Sequence, residues 1–170
     1  MRWIACAALL LASCGSPGAG NKGGDDDPAG ARLEKAAIAA GLVIDPESTS
    51  LQGSWARDDD RMCIVPGKEA GADRIGILLD YGPGNGCSAA GTVRRRRSGD
   101  LAVTLGSCRF DAQFDGERIV FPAELPEPCA ALCTGRATLA AMSVERLSVS
   151  VAEARTLRAA DQAPLCGADG

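Results

Sequence analysis

The chain has 170 residues, a length suited to one domain of about 100–200 residues. Hydrophobic residues make up 46% and charged residues 24%, the balance of a chain that folds. Lys plus Arg is 18 against 22 Asp plus Glu, and the net charge of -4 argues against a strongly basic nucleic-acid binder. The sequence contains no histidine, which excludes Ser-His-Asp, Cys-His and HExxH chemistry together. Aromatics are 4%, too few for a base-stacking surface or an aromatic sugar platform.

Arg2 gives a basic start, and residues 3–12 follow as an apolar run. A bilayer span needs about 20 apolar residues, so this run reads as the apolar core of a signal peptide over residues 1–13. It ends Leu11-Ala12-Ser13-Cys14. That sequence resembles the lipobox of bacterial lipoprotein precursors: an aliphatic residue, two small residues, then cysteine. The resemblance implies cleavage by signal peptidase II before Cys14, lipidation of Cys14, and a membrane partner reached through that anchor. Several acyl chains on one residue would hold firmly, since each buried CH₂ contributes about 0.8 kcal/mol and one chain alone is marginal. In such lipoproteins Asp after the cysteine often marks retention at the inner membrane. Gly15 stands there instead, which implies the outer membrane, facing the periplasm.

Residues 14–27 are rich in Gly and Asp and have no apolar period, so they read as a flexible tether. Asp25, Asp26 and Asp27 lack the spacing, Gly and closing Glu of a calcium loop and read as a solvated charge run. Residues 28–170 then form one domain. Asp27-Pro28 looks like an N-cap followed by Pro in the first turn of a helix over residues 31–40. Leu33, Ala37 and Ala40 fall on one face, expected to pack onto the domain, and Gly41 is placed to end the helix. Beyond residue 42 the pattern changes to short β-type runs: residues 51–56, 61–65, 75–81, 88–96, 101–114 and 118–121. Asp58-Asp59-Asp60, Pro66-Gly67, residues 82–86, Ser98-Gly99 and Asp115-Gly116 break them. The expected fold is α+β: a mostly antiparallel meander forming a curled sheet or half-barrel, with an N-terminal and a short C-terminal helix. Residues 137–149 fit a last strand or a helix, and their Thr, Val and Ser content favours the strand. Ser150 and Glu153 are spaced as a capping box for a helix over residues 151–160.

Six cysteines follow the anchor: Cys63, Cys87, Cys108, Cys129, Cys133 and Cys166. An even number in an exported chain reads as three disulfides. A two-residue turn at Ser98-Gly99 sets Arg97 opposite Asp100 and leaves Cys87 and Cys108 one diagonal step from direct opposition. That spacing predicts a Cys87–Cys108 bridge, with Cys129–Cys133 and Cys63–Cys166 as the remaining pairs. A zinc site is the rival reading, but the close pair is C-x₃-C rather than C-x₂-C, and no metal or other cofactor is expected. The C-x-x-C of redox proteins does not occur.

Gly53-Ser54-Trp55 resembles the start of the first strand in lipocalins and related ligand-binding barrels. The resemblance implies that Trp55 plugs the closed end of a barrel; the alternative is a Trp buried in an ordinary sheet core. About 115 residues follow Trp55, short for an eight-stranded barrel with a large cavity. Arg94, Arg95, Arg96 and Arg97 read as a solvated hairpin tip rather than an anion site. Residues 82–86 are glycine-rich but lack the Gly-Lys-Ser/Thr of a phosphate loop. Asp100, Asp111, Asp115 and Glu117 lie on hairpins without the mark of a hydrolytic pair. Gly-x-Ser-x-Gly does not occur.

The lipobox, the tether, residues 33–37, Gly53-Ser54-Trp55, residues 108–111 and Leu165-Cys166 together resemble small cysteine-rich envelope lipoproteins of alphaproteobacteria. That resemblance implies an architecture and an address. The expected function is a non-enzymatic binding or inhibitor module in the periplasm, with a periplasmic protein or envelope component as partner and no nucleic acid. The alternative is a carboxylate-dependent hydrolase acting on cell-wall sugars.

Overall fold

The structure is a computed structural model that describes residues 28–96 and 99–167. Helix α1 spans Pro28–Ala39. Gly41, at φ 68°, follows it, with the Gly41 and Leu42 amides donating to the Ile38 and Ala37 carbonyls at 2.9 Å each. The expected packing of its Leu33, Ala37 and Ala40 face does not occur: Leu33 is 73% exposed.

Nine strands follow: β1 Gly53–Arg57, β2 Asp60–Pro66, β3 Asp73–Asp80, β4 Gly86–Arg95, β5 Leu101–Leu105, β6 Cys108–Phe114, β7 Arg118–Val120, β8 Cys133–Thr134 and β9 Ser143–Ser148. All pair antiparallel. Neighbours in the chain pair from β1 to β7, then β7 pairs with β9 and β9 with β1, closing an eight-stranded barrel. The expected half-barrel is thus a complete one. The reason is the β1–β9 pairing, which ties Ser54 to Ser148 across most of the domain and removes both sheet edges. The short β8 pairs only with the start of β4.

Alternation of side chains fills the barrel. Leu101, Val103 and Leu105 of β5 point inward, as do Cys108, Phe110, Ala112 and Phe114 of β6. With Met62, Ile64, Ile75, Ile77 and Val144 they form one continuous core. The interior is therefore packed rather than hollow. A second, smaller core lies on the outer wall. Helix α2, Val151–Ala154, and the segment after it pack Ala154, Ala159 and Leu165 against Cys63 and Val65 of β2. Ser150 caps α2 by accepting from the Glu153 amide at 3.2 Å. The helix is one turn long, shorter than the expected 151–160.

The disulfides pair Cys63–Cys166, Cys87–Cys133 and Cys108–Cys129. Cys87–Cys108 and Cys129–Cys133 are corrected. Residues 101–114 are not one strand: Gly106, at φ 63°, turns the chain back, so Cys108 sits opposite Leu105 rather than beside β4. A 3-10 turn, Glu127–Leu132, then carries Cys129 into the barrel mouth against Cys108. The following strand β8 sets Cys133 directly opposite Cys87.

Candidate functional site

The two barrel ends are closed differently. The end reached first by the chain is shut by a pair of aromatic rings, each under an arginine. Trp55 is 1% exposed, meets Phe114 edge-to-face at 5.9 Å, and donates from Nε1 to the Leu51 carbonyl at 3.0 Å. The Arg146 guanidinium lies 4.2 Å over the Trp55 ring and donates to the Ser50 carbonyl at 2.6 Å. Burial lowers the pKa of this guanidinium from its ordinary value. Arg95 lies 5.1 Å over Phe114 and donates to the Pro46 and Thr49 carbonyls. Two cations thus hold the strap that leads into β1. Trp55 is thus buried in the continuous core and plugs this end of the barrel.

This overturns the solvated-tip expectation for Arg95. Arg94 pairs with Glu69, and Arg96 with Asp111 at 2.7 Å. Arg97 and Ser98 lie outside the described residues, as does the lipidation candidate Cys14. A sequence signal for Arg95 existed: Cys87, Ala89 and Val93 are buried, and period two puts Arg95 on their face.

The candidate carboxylates serve structure. Asp111 holds Arg96, and Asp115 accepts from the Glu117 and Arg118 amides at 2.9 and 2.7 Å. Asp100 and Glu117 sit in turns whose carbonyls accept from the Arg96 and Arg146 amides. Among the described residues, no group of three or more Cys, Asp or Glu is placed to hold a metal ion, and no helix is long and apolar enough to cross a membrane.

At the opposite end, Tyr81 donates to Asp60 Oδ1 at 2.7 Å beside Asp58 and Asp59. Burial first, then this hydrogen bond and the three negative charges, push the phenol up to about 12. The folded chain therefore holds the phenol proton more tightly than the unfolded chain. Its stabilising contribution is complete below pH about 10 and is lost as pH rises toward 12. Tyr81 is the single tyrosine, so absorbance at the phenolate band follows it alone. Its midpoint should lie well above 10 and fall back toward 10 in Asp60→Asn. A wild-type midpoint at the ordinary value would refute the Asp60 contact.

Two further features of the described surface bear on function. Leu33, Leu42, Val43 and Ile44 are exposed at 73%, 79%, 49% and 43%, all in the segment that precedes β1. Ile44 lies against the β6–β7 turn, close to Gly116. The other feature is an outer-wall cleft of about 530 Å³ between the β2–β3 loop, β4 and the C-terminal segment. Comparison with known protein families, curated proteins and solved structures finds no match to this chain.

Proposed function

We propose that the chain is an envelope lipoprotein anchored through Cys14 at the outer membrane, facing the periplasm, and that its stapled barrel is a non-enzymatic binding or inhibitor module. The observation that carries the reading is the exposure of Leu33, Leu42, Val43 and Ile44 in the segment before β1. Large apolar side chains left exposed along one segment suit contact with another macromolecule. With the barrel interior packed, recognition falls to the outside of the molecule. The partner this surface suits is a periplasmic protein with an apolar recess.

A photo-crosslinking residue at Leu42 in intact cells tests the reading, run in the wild type and in Cys14→Ser. The wild type should fractionate with membranes and crosslink to one defined envelope protein, whose purified form should lose binding to Leu42→Ser/Val43→Ser. Cys14→Ser should leave the membrane fraction or accumulate as precursor. A Cys14→Ser chain that stays in membranes at mature mass sinks the anchor. An unchanged affinity in the double variant sinks the contact surface.

A further inference from the structure

The six bridged cysteines differ in access. Cys63, Cys108 and Cys166 are 0% exposed, Cys87 is 2% and Cys129 3%. Cys133 is half-buried. With Cys129 it lines a groove of about 370 Å³, whose walls include Leu125, Pro126 and Leu139. The groove thus brings one cysteine from each of two bridges to the same recess, at the barrel end away from Trp55. Thiol–disulfide exchange needs a thiolate to reach one sulfur of the bridge, so access decides which bridge reacts and at which sulfur. By this measure Cys133 is the point of entry, and Cys87 is the sulfur displaced.

The local structure permits such an attack without unfolding the barrel. Strand β8 is two residues long and ends the sheet, with β4 as its ladder partner. Beyond that ladder, the Thr134 hydroxyl donates to the Gly86 carbonyl at 3.3 Å and the Arg136 amide to Asn85 Oδ1 at 2.9 Å. A two-residue edge strand opens with far less free energy than the long ladders of the barrel. The Glu127–Leu132 turn before it stays tied to β6 through Cys108–Cys129, so release of β8 is confined to the residues after that turn. Cys63–Cys166 has no comparable route, since both of its cysteines are wholly buried and β2 pairs on both sides.

We propose that Cys87–Cys133 is a thiol–disulfide exchange site, attacked at Cys133 by a dithiol reductant. The reductant's thiolate bonds to Cys133 Sγ as the Cys133–Cys87 bond breaks. The electron pair leaves on Cys87 Sγ, which takes a proton from water and rests as a neutral thiol in its apolar surroundings. The reductant's second thiolate then displaces Cys133 Sγ, which is protonated in turn. The chain gains two electrons and two protons, and the dithiol becomes a disulfide. The oxidised full chain, its free thiols first blocked with N-ethylmaleimide, is exposed to limiting dithiothreitol without denaturant, quenched with iodoacetamide and mapped by peptide mass. Cys87 and Cys133 should be alkylated together, about tenfold or more faster than the other four bridged cysteines. Reduced glutathione has one thiol and halts at the first step, so it should be found on Cys133 with Cys87 alkylated. Hydrogen exchange in the reduced chain should rise at amides 133–136 while residues 101–114 keep their protection. Earlier alkylation at Cys63, Cys108, Cys129 or Cys166 overturns the site. So do release of all six at one rate, no thiol until the barrel unfolds, glutathione on Cys87, and loss of protection across the whole barrel.

Discussion

Trp55→Ala should cost about 3–5 kcal/mol of folding stability, the range for deleting a large aromatic from a packed interior. The side chain is 1% exposed and is part of the continuous core. The loss extends beyond volume. The Leu51 carbonyl loses its indole donor, Phe114 loses its edge-to-face partner, and Arg146 loses the ring beneath its guanidinium. Arg146 also secures the Ser50 and Gln52 carbonyls, so the strap before β1 should loosen as well. Urea unfolding followed by far-ultraviolet circular dichroism measures the effect without relying on the lost fluorophore. Trp55→Phe should recover part of the stability. A loss below about 1 kcal/mol in the alanine variant, the level of an ordinary surface change, would refute the end-plug role.

Removing the Cys63–Cys166 bridge by the paired change Cys63→Ser/Cys166→Ser should cost about 4–5 kcal/mol on the chain-entropy account. The bridge closes 103 residues, against 46 for Cys87–Cys133 and 21 for Cys108–Cys129. Loop-closure entropy grows with loop length, so the three paired serine variants should lose stability in that order. The first variant should also show a local effect. Ala154, Ala159 and Leu165 are held on the outer wall partly by this staple, and amides from 154 to 166 should exchange before the barrel opens. Denaturant unfolding under oxidising conditions gives the order, and hydrogen exchange gives the location. The smallest loss at Cys63–Cys166, or uniform exchange across the barrel, would contradict this assignment.

The local elements were legible because their causes are local. Asp58-Asp59, Asp115-Gly116 and the Ser150/Glu153 spacing mark turns and a cap through backbone chemistry within a few residues. The alternation in β6 is plain from residues 108–114 alone. Gly106 marks its turn locally as well, and because it divides residues 101–114 into two strands, Cys108 lies across from Leu105 and not across from β4. Gly53 shows the opposite case. At φ 135°, its missing Cβ leaves room for the Ser148 carbonyl, which a Cβ would meet at 2.0 Å. Nothing near Gly53 in the chain announces a neighbour almost a hundred residues away.

By itself the sequence determined the antiparallel β character, most of the strand and turn positions, the three-disulfide count and the absence of histidine chemistry. These follow from period-two patterning, turn residues and composition, which act over short distances. Tertiary structure decided the rest. The β1–β9 pairing turned an open meander into a closed barrel, strand register chose two of the cysteine partners, and the inward side of β4 half-buried Arg95 and laid it over Phe114. The outer-wall cleft is likewise lined by separate parts of the chain, the β2–β3 loop, β4 and the C-terminal segment that docks on β2. Each of these outcomes depends on which distant segments become neighbours, and that is settled by the global packing of one core rather than by any local run of residues.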